Sequence, residues 1–201
     1  KLLIFASTSS VYGNQKKFPI KEDANTDKPL SFYAATKKSN EVMAYSFSNI
    51  YKIPVTCLRF FTVYGPLGRP DMALYKFVEK INKNEPIELF NNGEHIRDFT
   101  YIDDVVNYMI SIIKKPYKNI IPYQVLNIGS NKPKSLKYFL KIIQKNFNKK
   151  VKFQKKNLQI GDVYKTHADN TKLIKLINKN FYTPIDIGIK RFINWYNNYH
   201  K

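Results

Sequence analysis

Cysteine is almost missing from this sequence of 201 residues, in which Cys57 stands alone. A single cysteine excludes an internal disulfide and suits a reducing cytosol, and Cys57 reads as buried filler rather than as a nucleophile. Long apolar runs are missing as well. The longest, Leu2 to Ala6, is far short of the ~20 residues of a membrane helix, so no membrane association is expected. No charged start followed by a long apolar stretch marks a signal peptide. Arginine is scarce (Arg59, Arg69, Arg97 and Arg191) although the formal net charge is +19. The lysines are spread along the whole length and are accompanied by many Asn and Ile residues. This pattern reads as a solvated basic surface rather than a nucleic-acid interface, which favours clustered arginine. Glycines stand at 13, 65, 68, 93, 129, 161 and 188, and no glycine-rich strand-to-helix turn of the kind that cradles a dinucleotide phosphate is among them. The histidines His95, His167 and His200 are isolated in sequence, at no spacing that suggests a metal site.

What is present is enough for a packed core: 43% hydrophobic and 15% aromatic residues argue against disorder. Lys1 leads directly into Leu2-Leu3-Ile4-Phe5-Ala6, ended by Ser7-Thr8-Ser9-Ser10, and reads as a parallel strand buried on both faces. A strand of that kind needs neighbours, so the start is expected to be a truncation, with roughly a hundred residues and the glycine-rich turn upstream. A polar loop spans Gly13 to Leu30. A helix is predicted from Ser31, its cap, to Tyr51, and a second apolar strand from Val55 to Phe61, stopped by Tyr64-Gly65-Pro66. Then come a helix over Met72–Asn84, short strands at Ile87–Phe90 and Phe99–Tyr101, and a helix capped by Asp103 and Asp104 that reaches Lys114. A strand from Tyr123 to Ile128 follows. Leu136, Phe139, Leu140, Ile143 and Phe147 share one helical face, as do Ile189, Phe192, Ile193 and Tyr196. Alternating strands and helices argue an α/β fold with a parallel sheet.

Chemistry concentrates in Tyr33-Ala34-Ala35-Thr36-Lys37. Four residues apart on a helix, phenol and ammonium project from one face, and a neighbouring cation favours the phenolate form of a base. With fifteen tyrosines, about two Tyr-x-x-x-Lys matches arise by chance. The second, Tyr12-Gly13-Asn14-Gln15-Lys16, lies in a loop where that spacing aligns nothing, and it is assigned no chemistry. On these residues alone, an ordinary helix surface at Tyr33 and Lys37 and a self-capping turn at Thr8–Ser10 stay open.

The stretches Ala6-Ser7-Thr8-Ser9-Ser10-Val11-Tyr12-Gly13 and Tyr33-Ala34-Ala35-Thr36-Lys37, a strand-end hydroxyl cluster followed by Tyr-x-x-x-Lys on a helix, resemble the extended short-chain dehydrogenase/reductase family. The resemblance runs through Leu58-Arg59-Phe60-Phe61-Thr62-Val63-Tyr64-Gly65-Pro66, Arg97-Asp98-Phe99-Thr100-Tyr101-Ile102-Asp103-Asp104 and Gln159-Ile160-Gly161-Asp162-Val163 to the Trp195-Tyr196 ending. Gly68-Arg69-Pro70-Asp71-Met72-Ala73 is similar to a stretch of UDP-glucuronate 4-epimerases.

The resemblance implies the C-terminal part of a Rossmann-like parallel sheet plus a smaller α/β substrate-binding domain. Residues 1–65 and 98–130 would be the remainder of the NAD-binding domain, and residues 66–97 and 131–201 the nucleotide-sugar-binding domain. It implies Thr8, Tyr33 and Lys37 as catalytic group and NAD as a recycled cofactor touched by Tyr33, Lys37, Phe60 and Phe61. A UDP-sugar partner would meet Ser9, Ser10, Thr62, Arg69, Arg97 and Asp162. An arginine fork suits a diphosphate or a sugar carboxylate, although Arg69 and Arg97 could instead pair with Asp71 and Asp98. The implied activity is 4-epimerisation of UDP-glucuronate to UDP-galacturonate by a cytoplasmic homodimer, with the fragment alone inactive. Alternatives are a nucleotide-sugar dehydratase or decarboxylase on the same scaffold, or a non-catalytic relative that binds nucleotide or RNA. Related dehydratases carry Asp-Glu after the strand-end threonine and related decarboxylases Ser-Glu, where this sequence has Ser9-Ser10.

Overall fold

The computed structural model describes residues 1–147, 151–156 and 162–200. In chain order they form β1 (Leu3–Thr8), a 3-10 turn (Ser9–Tyr12), α1 (Phe32–Tyr51), β2 (Val55–Phe60), β3 (Thr62–Tyr64), α2 (Ala73–Asn82) and β4 (Ile87–Phe90). They continue through β5 (Ile96–Arg97), β6 (Phe99–Tyr101), α3 (Ile102–Ile113), β7 (Tyr123–Ile128), β8 (Lys134–Ser135), α4 (Leu136–Phe147), β9 (Phe153–Lys156), α5 (Thr171–Ile177) and α6 (Ile185–Tyr199).

The sheet that positions the site is parallel, in the order β1-β2-β7, with Thr8 opposite Phe60 and Phe60 opposite Ile128. β2 is flanked on both edges, and five of its six residues are buried, as a continuous run in a parallel sheet should be. β1 departs from the expectation of burial on both faces: Leu3 is 47% exposed and Ala6 is also exposed. The reason is its place in the sheet, because it pairs only with β2 among the described residues and packs against α1 on one side. α1 begins as expected. Ser31 is extended and its hydroxyl accepts from the Ala34 N–H at 3.2 Å, which satisfies one of the unpaired donors of the first turn.

The strand expected to run through Phe61 changes sheets there. The Phe61 N–H still bonds the Ile128 carbonyl at 3.0 Å, but the Thr62 N–H bonds the Asp98 carbonyl at 3.0 Å, and β3 pairs with β6 instead. Two cores flank this switch. One joins α2, α4 and α6 over Tyr64, Phe99, Phe139 and Phe192, with the Phe99 and Phe139 rings stacked at 4.3 Å. The other joins β2, β7, α3 and α5 through Leu58, Tyr108, Ile112, Leu126 and Leu173. Each fully buried side chain of this size contributes about 1.5–3 kcal/mol.

Asp103 and Asp104 are not side-chain caps. The cap position of α3 is Tyr101 and carries no side-chain bond. Asp104 accepts from the Thr183 N–H at 2.7 Å and its hydroxyl at 2.9 Å, and so ties the approach to α6 onto α3. Asp103 lies 3.7 Å from Arg191. Both still sit in the first turn of α3, where negative charge suits the helix dipole.

Candidate active site

The carboxyl ends of β1 and β2 and the first turns of α1 converge on one region. Thr8, 8% exposed, ends β1. Its hydroxyl accepts from the Ser10 N–H and donates to the Ser10 hydroxyl, both at 3.2 Å. The self-capping turn left open by the sequence is therefore present, and it places Thr8, Ser9 and Ser10 together at the strand end. On α1, Tyr33 is 54% exposed and Lys37 is half-buried. The Lys37 ammonium donates to the Ala6 carbonyl at 2.9 Å and lies 5.4 Å from the Phe5 ring centre and 6.0 Å from that of Tyr33. Lys37 thus bridges helix and strand two residues ahead of Thr8. Phe60 is half-buried at the end of β2. Phe61 is a core residue, packed on Tyr12 with ring centres 6.3 Å apart.

The expected substrate residues fall into two groups. Thr62, half-buried, opens β3 beside this region. Arg69 lies on the surface, paired with Asp71 through Nε at 3.0 Å and Nη2 at 2.5 Å. That hydrogen-bonded carboxylate holds the guanidinium above its ordinary value. Arg97 is half-buried and pairs at 2.7 Å with Asp162, not with Asp98. Its Nη1 donates to the Ile96 and Tyr164 carbonyls. Gln159, Ile160 and Gly161 of the expected nucleotide-side loop lie outside the described residues.

Asp98 has a separate task. Fully buried, it accepts from the Ser130 hydroxyl at 2.7 Å and from the N–H groups of Ser130, Asn131 and Ala168 at 2.8, 3.1 and 2.9 Å. One carboxylate thereby clamps the loop after β7 and the 166–168 segment beside Arg97. A carboxylate saturated in this way cannot also serve as an ion-pair partner for its neighbour.

Beneath the site lies a buried polar network whose organisation the sequence reading missed. Glu41, 3% exposed, meets Arg59, 4% exposed, through Nε at 2.9 Å and Nη2 at 2.7 Å. The Ser7 hydroxyl donates to the same carboxylate at 2.5 Å. Burial by itself raises the Glu41 carboxyl, but the Arg59 fork reverses this and holds it below the ordinary glutamate value. The available signal was an arginine inside an otherwise buried strand, which demands a buried counter-charge. His95 was likewise read as isolated. It is buried, its Nδ1 lies 3.9 Å from Asp162, and its Nε2 has no partner.

The parallel sheet β1-β2-β7 with its flanking helices is part of a Rossmann-like α/β fold, which the chain shares with the solved structures it superposes on. The chain belongs to the NAD dependent epimerase/dehydratase family, whose profile matches residues 1–129. It is 43% identical to Protein CapI of Staphylococcus aureus, over 99% of this chain and 64% of that protein. It is 40% identical to the UDP-glucuronate 4-epimerase of Thermodesulfobacterium geofontis, over 97% of this chain and 59% of that one. The crystal structure of UDP-glucuronic acid 4-epimerase from Bacillus cereus in complex with UDP-glucuronic acid and NAD superposes with a TM-score of 0.92 at 31% identity, covering 99% of this chain and 62% of that one. The chain therefore spans about 60% of the length of these relatives.

Proposed function

We propose that this chain carries the catalytic and nucleotide-sugar-binding part of an NAD-dependent UDP-sugar 4-epimerase that interconverts UDP-glucuronate and UDP-galacturonate through a transient 4-keto sugar. The observation that supports the reading is Lys37, whose ammonium bonds the Ala6 carbonyl of β1, the strand that ends at Thr8, and lies 6.0 Å from the Tyr33 ring centre. Names of similar proteins supply the sugar: the Bacillus cereus enzyme was crystallised with UDP-glucuronic acid and NAD.

The residues present fit the nicotinamide end of a dinucleotide, with Tyr33 exposed, Lys37 half-buried and Phe60 half-buried at the carboxyl ends of parallel strands. Among the described residues no glycine-rich strand-to-helix turn cradles the pyrophosphate, so we assign the 201 residues no turnover by themselves. When bound, NAD supplies the acceptor and returning donor for a hydride at the sugar C4. Tyr33 takes the proton of the 4-hydroxyl and later gives it back. Lys37 places a positive charge beside the phenol, and Thr8 and Ser10 orient the sugar. Ser10 lacks the carboxylate that elimination would require, and this favours epimerisation over dehydration or decarboxylation. Arg69 grips the sugar carboxylate by exchanging Asp71, its exposed partner. Arg97, with Asp162 beside it, meets the diphosphate.

In this reading residues 1–65 and 98–130 form the NAD side and residues 66–97 and 131–201 the nucleotide-sugar side, although α5 packs with α3 and β7. The protein is a homodimer, supported by the exposed apolar residues Val42, Met43, Phe47, Ile50 and Tyr51 of α1. Its one cysteine, buried and free, suits the cytoplasm. The test is chromatography of nucleotide sugars after the intact protein is incubated with UDP-glucuronate and, separately, UDP-glucose. UDP-galacturonate as main product supports the assignment; a UDP-pentose or a 4-keto-6-deoxy sugar overturns it.

A further inference from the structure

Tyr33, Lys37 and Glu41 stand at i, i+4 and i+8 along α1, in one row that descends from the exposed Tyr33 to the buried Glu41. The lower end of that row is attached to every segment that carries a proposed catalytic group. Glu41 meets Ser7, which precedes Thr8, and Arg59, which precedes Phe60; Ser7 and Arg59 are register partners in the sheet. The free arm of Arg59 donates to the Glu22 carbonyl at 2.9 Å, and its guanidinium lies 4.7 Å from the centre of the Tyr12 ring. Tyr12 closes the turn that holds Ser9 and Ser10, and its hydroxyl donates to Asn127 at 2.6 Å. A helix, two strands and a turn thus converge on one carboxylate–guanidinium fork.

A buried ion pair is a poor means of gaining stability alone, because desolvation offsets most of the Coulombic attraction and an apolar pair of similar volume holds a fold as well. What a planar two-point fork provides, and an apolar contact does not, is a fixed distance and orientation. We infer that Glu41 and Arg59 are positioning residues that set the height of α1 over the ends of β1 and β2, and with it the placement of Tyr33 and Lys37 against Thr8. The inference rests on the reading of Tyr33, Lys37 and Thr8 as catalytic group. It adds that their geometry is held from below by a pair that touches neither substrate nor cofactor.

The experiment uses the intact holoprotein and three variants. The paired replacement Glu41→Met with Arg59→Met removes the fork while leaving no unpaired charge, Arg59→Lys keeps the charge and loses the planar geometry, and Ser7→Ala cuts only the tie to β1. Steady-state kinetics on UDP-glucuronate are combined with the fluorine NMR signal of 3-fluorotyrosine placed at position 33. Displacement by about an ångström costs on the order of 100-fold in turnover. The paired variant is therefore expected to melt near the wild-type temperature, to lose on the order of 100-fold in kcat with KM changed little, and to show a displaced or broadened fluorine signal. Arg59→Lys should not restore kcat, and Ser7→Ala should give a smaller loss in the same direction. A folded paired variant with wild-type kcat and an unmoved fluorine signal would overturn the inference and leave the pair a purely structural contact. If the wild type turns over no UDP-sugar, the functional reading fails by itself, while the fluorine signal still decides whether the fork places Tyr33.

Discussion

Tyr12 and Tyr33 each precede a lysine by four residues, and the two regions that hold them do opposite things with the same motif. Tyr12 is 2% exposed, with its hydroxyl bonded to Asn127 and its phenol pushed up to about 12 by burial. After it Gly13 turns the chain at φ +59, where an added Cβ would come within 2.4 Å of the Lys28 carbonyl oxygen, so the chain cannot carry Lys16 onto the tyrosine's face as a helix would. Tyr33 sits in the first turn of a capped 20-residue helix and shares its face with Lys37. The spacing has chemical meaning only where the backbone is helical. Burial then separates the two phenols: one is bonded inside the fold to Asn127 and the other meets solvent.

Substitutions in the intact protein can break or sharpen this comparison. The largest expected effect is that of Tyr33→Phe, which removes only the phenolic oxygen and should lower kcat by about 10²–10⁴-fold with nucleotide-sugar affinity nearly unchanged. Tyr12→Phe should leave kcat nearly intact and lower stability by about 1–3 kcal/mol, because Asn127 loses its donor; equal losses of turnover from both would erase the distinction. Next comes Arg97→Gln, expected to raise KM for UDP-sugars on the order of 10- to 100-fold through loss of charge-assisted bonds. Arg69→Gln should raise KM on the order of tenfold for UDP-glucuronate but not for UDP-glucose, without moving the melting temperature, since its pair with Asp71 is solvated. An equal effect on both sugars would remove Arg69 from carboxylate recognition.

Acid denaturation supplies a further and smaller signal. Glu41 is held below its ordinary value in the folded state, so its contribution is fully present above the unfolded glutamate pKa and is lost as pH falls through the folded one. The fall in melting temperature from roughly pH 5 to pH 3 should be shallower in Glu41→Gln than in the wild type. Parallel curves would show that Glu41 does not report on acid unfolding.

Local signals in the sequence located the elements on which the candidate site is built. The apolar run to Thr8, the Ser31 cap and the strand at Tyr123–Ile128 lie where their patterns place them, because each is dictated by its own residues. Tertiary partners are what the sequence concealed. Arg97 pairs with Asp162 rather than with its neighbour Asp98, because Asp98 is spent on the chain at 130–131 and 168. Asp104 holds Thr183 instead of capping α3. β5 and β8 are two residues each and α5 is seven, too short for periodicity to register. The Glu41–Arg59 fork spans 18 residues, and only burial of the arginine in β2 hinted at it.

The most direct test of the central claim is the fate of the C4 hydrogen when the intact protein acts on UDP-glucuronate deuterated at that carbon. Oxidation and return at C4 within one site predict UDP-galacturonate that keeps its deuterium at C4, with none lost to water and none of this product formed by Tyr33→Phe at comparable times. Deuterium washed out of the product, or a product with the original configuration at C4, would contradict the account.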